Sequence, residues 1–199
     1  MLLWIIALLF SGSSFSVDTN RISTEPTRAA DIREAKFRHS FSATRKTKTR
    51  PTASTYKVEI DKSDFEMRIY DQDGWLATYP VVFGTKDLKD KRMEGDRETP
   101  EGTFRITLKK MHSDWGCFLL LDYPNKESIE KFKKRKASGQ IPANAKIGGG
   151  IGIHGTRPKE EYAVDRYVNW TNGCISLKYS DVFEIYDLLP LGTEVVITQ

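Results

Sequence analysis

Two cysteines and three histidines in 199 residues leave little material for a metal centre or a disulfide scaffold. A four-thiolate zinc site needs more thiols, and small stapled domains need several pairs. His112, His154, Cys117 and Cys174 show no paired ligand spacing, so neither a metal nor any other cofactor is expected. Long apolar runs are missing too. The run Leu2–Phe10 is well short of the roughly 20 residues that a membrane-spanning helix requires, and the mean hydropathy of -0.49 excludes a polytopic membrane protein. The net charge of +4 invites a polyanion as partner, but its distribution does not. Residues 1–16 carry no charged side chain, whereas 17–54 hold nine basic and four acidic residues, a surplus of five. Residues 55–199 therefore carry a net charge of −1, which removes the electrostatic case for a nucleic-acid partner.

What is present divides into three segments. The apolar run, followed at once by Ser11-Gly12-Ser13-Ser14, has the length of a signal-peptide apolar region. Ser14-Phe15-Ser16 supplies small residues for cleavage after Ser16, although only the terminal amine provides positive charge before the run. Residues 1–16 are read as a signal peptide, and export to the periplasm or cell envelope is expected. Residues 17–54, rich in Ser, Thr, Arg and Lys and without persistent periodicity, are read as a disordered linker. The texture changes at Thr55, and 55–199 is read as the folded domain.

Alternation at Tyr56–Ile60 and Phe65–Tyr70 predicts half-buried strands, and the turn Asp71-Gln72-Asp73-Gly74 leads into a third over Trp75–Phe83. Further strands are predicted at Gly102–Leu108, Cys117–Leu121, Ile151–His154, Cys174–Leu177 and Glu194–Thr198. Helices are predicted over Lys126–Ala137 and from an N-cap at Ser180. In the second, Val182, Ile185, Tyr186 and Leu189 fall on one stripe. The fold class is mainly β, a mixed sandwich or barrel with one or two packed helices.

The chemistry concentrates between Gly148 and Leu177. A cysteine nucleophile works as the thiolate, so it needs a base nearby and a tight turn to expose its sulfur. Cys174 follows Gly173, which permits such a turn, and backbone N–H groups there are candidates for an oxyanion hole. His154, flanked by glycines after an apolar strand, is the histidine best placed to act as the base. The plain alternative in an exported chain is a Cys117–Cys174 disulfide, which would abolish catalysis. Cys117, between Gly116 and Phe118, reads instead as a buried small apolar residue. Gly150–Gly155 matches G-x-G-x-x-G, but polar residues precede it and the match itself contains the apolar strand, so no nucleotide is expected.

His154-Gly155-Thr156 and a Thr171-Asn172-Gly173-Cys174-Ile175-Ser176-Leu177 element, with sixteen residues between His154 and Thr171, resemble the catalytic domain of the L,D-transpeptidases (YkuD-type). The loop Gly95–Phe104, containing Thr99-Pro100-Glu101-Gly102-Thr103, and the terminal stretch Leu191–Ile197 extend the resemblance over about residues 55–199. It implies a mixed β fold whose Cys174 attacks peptidoglycan stem tetrapeptides, expelling terminal D-alanine and leaving a thioester. His154 would be proton acceptor and donor, and the Gly155 carbonyl would orient its ring. An amine on a second stem would give cross-links in cell-wall biogenesis and cell shape, one on an outer-membrane lipoprotein would give anchoring, and water would give hydrolysis. Asn172 stands where many members have His, and Ser176 where many have Arg or Asn, positions expected to hold the donor stem. Some branches lack those residues, among them hydrolases that detach lipoprotein, which the stretch Asp122–Asn125 also resembles. A carboxypeptidase or amidase using the same pair, and a non-catalytic wall-binding module, are the alternatives.

Thr171, Asn172, Ser176 and Trp170 are the candidate substrate-binding residues. Trp170 and Tyr167 suit either a groove lining or plain packing. The stretch Asp96–Thr103 suits either a donor pocket or an ordinary turn, and the basic helix either a solvated face or a lid.

Overall fold

The computed structural model describes residues 55–199; the expected signal peptide and linker lie outside the described residues. Eight strands form one sheet: β1 (Lys57–Asp61), β2 (Glu66–Asp71), β3 (Gly74–Pro80), β4 (Gly102–His112), β5 (Gly116–Leu121), β6 (Gly152–Gly155), β7 (Ile175–Leu177) and β8 (Glu194–Thr198). Their spatial order is β3-β2-β1-β8-β4-β5-β6-β7. β1 and β8 run parallel, as do β6 and β7, and the other neighbours are antiparallel. Just past β3, Val82 bridges Ser176 of β7 through a reciprocal pair of 2.9 Å hydrogen bonds. That bridge brings the two ends of the sheet together as a nearly closed barrel.

Alternation places the core. In β1, Val58 and Ile60 are buried between charged neighbours. Val58 lies opposite Ile69 and Val195, and Ile60 opposite Met67 and Ile197, so adjacent strands stack one apolar layer. Each such side chain contributes about 1.5–3 kcal/mol on burial. Helix α1 (Lys126–Ala137) buries none of its residues, consistent with its charged sequence, and Asn125 caps it by accepting from the Ser128 N–H (3.0 Å). A single helical turn, α2 (Tyr162–Asp165), is not evident from periodicity. Helix α3 (Tyr179–Leu188) lays Val182 and Ile185 on the sheet as the stripe predicts, followed by buried Leu189.

Three boundaries differ from expectation by more than one residue. The third strand stops at Pro80, whose missing N–H cannot continue a ladder, and Val82 makes only the isolated bridge. β4 continues four residues past Leu108, paired with β5 as far as His112, and within that stretch Lys109 donates to the carbonyls of Tyr186 and Leu189 (2.8 Å to the latter). A cation there complements the carbonyl end of α3. Ser180 is not the cap of that helix; its own N–H is taken by Glu161 Oε1 (2.8 Å), which puts an acid at the positive end instead.

Candidate active site

β6 is four residues long, buried throughout and flanked by β5 and β7. His154, 2% exposed, sits opposite Phe118 of β5 and Ser176 of β7. Side chains alternate along a strand. Continuing the β6–β7 register back one residue therefore places Cys174 beside Gly152, on the face that carries His154. Cysteine and histidine thus come from adjacent parallel segments of one surface. Both cysteines are free thiols, and Cys117 is fully buried in the core with its sulfur 3.7 Å from Met111 Sδ.

His154 Nδ1 lies 2.8 Å from the Gly155 carbonyl oxygen. A carbonyl only accepts, so this geometry assigns the ring proton to Nδ1 and leaves Nε2 as the acceptor of the neutral imidazole. The ring is enclosed by aromatics. Trp115 stacks on it at 4.6 Å, Phe118 lies at 6.1 Å, and Trp170 meets it edge-on at 5.4 Å. His112 stacks in turn on the far face of this group, 4.1 Å from Trp115. Burial, opposed by the Gly155 hydrogen bond, pushes the His154 pKa down to about 4. Burial likewise pushes the Cys174 thiol up, against smaller opposing effects of Gly152 and Lys91. At neutral pH the Cys174 thiol and the His154 imidazole on this face therefore both rest neutral, whereas an activated thiolate is the state motif chemistry suggests.

The loop bearing Cys174 is tied down from several directions. Asn169 accepts from the Phe83 N–H (2.7 Å) and donates to the Thr85 carbonyl. The N–H groups of Trp170 and Thr171 donate to the Phe83 carbonyl (2.9 and 3.1 Å). Thr171 is buried; its hydroxyl donates to the Cys174 carbonyl (2.7 Å) and accepts from the Gly173 N–H (3.1 Å). Gly173 adopts φ +117, as a tight turn before the cysteine requires. Its N–H is occupied by Thr171, however, so the oxyanion role expected for it is corrected to that of a turn. Ser176, paired with His154 and on the same face, is fully buried, and its hydroxyl reaches the Leu177 carbonyl at 3.4 Å. Thr171 thus braces the loop from within. Asn172 is exposed, and Trp170 is half-buried beside His154.

Residues 85–101, without regular structure, form the wall behind this loop. Asp96 organises it, accepting from Lys91 Nζ (2.6 Å) and from the N–H groups of Arg92, Met93 and Glu98. Burial raises the pKa of that carboxyl, but these bonds outweigh it and hold the value below the ordinary range. Fully buried Lys62 pairs with Glu101 (2.6 Å) and donates to the Lys89 and Thr99 carbonyls. From α1, Arg135 pairs with Asp90 (2.6 Å) and Lys131 donates to the Glu101 carbonyl. The basic helix is therefore bolted to the wall. Trp115, Asn169, Gly84 and Lys62 carry no motif, and sequence reasoning passes over them.

A pH dependence follows from His154. Its folded pKa lies below the ordinary 6.5, so the unfolded chain takes up the proton first as pH falls. Its contribution to stability is full above about pH 6.5 and is lost toward pH 4, roughly 3 kcal/mol in all. Urea unfolding at pH 7 and pH 4.5 should show a larger acid-induced loss in the wild type than in His154→Gln; equal losses would contradict the assignment.

Among the described residues no group of three His, Cys, Asp or Glu side chains could hold a metal ion, and no helix is long and apolar enough to cross a membrane. The family model described as the L,D-transpeptidase catalytic domain, YkuD, matches residues 55–197. The chain is 32% identical over 146 residues to YqjB of Bacillus subtilis (strain 168), named for the L,D-transpeptidases, covering 71% of this chain and 70% of that one. Of solved structures, the helical cell shape determining protein Pgp2 from Campylobacter jejuni aligns with a TM-score of 0.55 and 24% identity over 74% of this chain and 49% of its own. Bd1075 of Bdellovibrio bacteriovorus aligns with a TM-score of 0.51 and 21% identity, over 73% and 48% respectively. These two likenesses establish a shared fold. The chain spans about half the length of each.

Proposed function

The chain belongs to the L,D-transpeptidase catalytic-domain family, and from that membership we propose that Cys174 and His154 carry out acyl transfer on peptidoglycan stem tetrapeptides. The carrying observation is the His154 ring, held by the Gly155 carbonyl with Nε2 left as acceptor, on the same face as Cys174. In this reading substrate arrival triggers proton transfer from Sγ to Nε2, since both groups rest neutral. The sulfur attacks the carbonyl of the third residue. Collapse of the tetrahedral intermediate breaks the amide bond to D-alanine, whose nitrogen takes the proton from His154. A thioester remains.

The acceptor then attacks the thioester and gives its proton to His154, and the thiol is regenerated. An amine as acceptor makes the reaction a transfer, and water would make it a hydrolysis. A second stem would supply that amine, and a lipoprotein lysine is the other candidate. Such an activity requires export, which the Leu2–Phe10 run and the small residues after it support. A part in cell shape, the description that Pgp2 carries, belongs to the same proposal.

Incubating the purified protein with disaccharide-tetrapeptides and weighing the products tests the reading. Cross-linked dimers are expected. Trimmed tripeptides without dimers would assign water as the acceptor, and unchanged muropeptides would overturn the proposal.

A further inference from the structure

Arg97 is a non-glycine residue held in the left-handed region, at φ +61. That conformation is strained for a residue with a Cβ and persists only where surrounding contacts impose it. Here they do. Asp96 before it is fixed by four hydrogen bonds. The Arg97 carbonyl presses on Gly84, 2.0 Å from where a Cβ would stand, and the Glu98 carbonyl presses on Gly173 at 2.7 Å in the same sense. The strained backbone delivers the side chain to the cysteine loop, where Nε donates to the Thr171 carbonyl (3.2 Å) and Nη2 to the Trp170 carbonyl (3.4 Å).

Two of five guanidinium N–H donors are so used, and three remain. Three other cations of the same segment are paired: Lys89 with Asp87, Lys91 with Asp96 and Arg92 with Glu98. Arg97 has no carboxylate partner among the described residues, and it is exposed, as is Asn172. A planar cation, held by carbonyls at one end and unpaired at the other, therefore stands on the backbone leading into Cys174. Such a fork suits a carboxylate.

We propose that Arg97 binds the terminal carboxylate of the donor peptide, the one on the residue that Cys174 expels. This rests on the tetrapeptide reading above, because that carboxylate belongs to the residue whose nitrogen leaves the scissile carbonyl and is thus the anion nearest the reacting bond. The role is one of binding and alignment, and so falls on donor affinity.

Calorimetric titration of a stem tetrapeptide, as free acid and as C-terminal amide, into Cys174→Ala protein tests it without requiring turnover. The amide should bind about tenfold to hundredfold more weakly, the range for losing one charge-assisted hydrogen-bonded contact. Adding Arg97→Gln should weaken the free acid by a similar factor and abolish the discrimination, since the two changes remove the same contact. Arg97→Lys should recover part of the preference. If acid and amide bind alike, or if the preference survives Arg97→Gln, the inference is wrong while the donor reading stands. A uniform weakening of both peptides would reduce Arg97 to a brace of the loop and likewise overturn it. If neither peptide binds the Arg97-intact protein, the donor reading fails first and takes this inference with it.

Discussion

Turnover of tetrapeptide stems is expected to fall by about four orders of magnitude or more in Cys174→Ala, with little change in stability. The expected loss is that of a covalent route, for which no neighbouring group substitutes. His154 has only its Nε2 to offer, and Ser176 is sealed in the sheet. Stability should change by less than about 1 kcal/mol, because the substitution removes a single atom whose polar partners are backbone groups, at Gly152 and, over a long 3.6 Å, at the Gly150 carbonyl. Initial rates by product mass and a thermal melt give the two halves of the result. Retained turnover would remove Cys174 from the mechanism, and a large fall in melting temperature would make the lost activity uninformative.

The largest stability effect is expected at Gly84, which no motif marks. A Cβ there would lie 2.0 Å from the Arg97 carbonyl oxygen and 2.9 Å from both the Gly173 nitrogen and the Thr171 carbonyl oxygen. All three are backbone atoms, so no side-chain rotation relieves the overlap. Accommodation would require prising the 85–101 wall from the cysteine loop. Gly84→Ala is accordingly expected to cost about 3–5 kcal/mol, and to misplace Cys174 in whatever fraction still folds. Gly95 offers the contrast: it has φ +85 but nothing within 4 Å of its Cβ position, so Gly95→Ala should cost only about 1 kcal/mol from backbone strain. Urea midpoints of the two variants provide the measurement. Comparable losses would mean that the close approach at Gly84 relaxes easily.

Much of the sheet is legible in the chain itself. Val58 and Ile60, Met67 and Ile69, Val195 and Ile197 alternate with polar neighbours because a strand shows its side chains to opposite faces in turn. The extension of β4 is hidden for the opposite reason: Lys109 looks like a solvated residue until α3 places its terminal carbonyls within reach. Cys174 and His154 are legible from residue type and spacing, since few side chains can act as nucleophile or base. Their surroundings are not. Arg97 reaches Thr171 across 74 residues, and Asn169 reaches Phe83 across 86, separations that no local pattern records.

The same division explains Thr171 and Ser176. As letters in a motif they stand beside the nucleophile and read as substrate contacts. Closure of the sheet through Val82 and Ser176 turns one of them into the barrel wall, and the hydroxyl of the other is taken by its own turn. The sequence by itself determined the strand pattern, the choice of Cys174 and His154 as candidates and the absence of charge surplus in the folded part, because these depend on residue chemistry and short-range periodicity. Only the tertiary structure decided that His154 and Cys174 rest neutral, that Gly173 has no N–H to spare, and that Arg97, without a carboxylate partner among the described residues, reaches the cysteine loop. Burial and hydrogen-bond partnership are properties of what folding brings together, and the groups concerned come from distant parts of the chain.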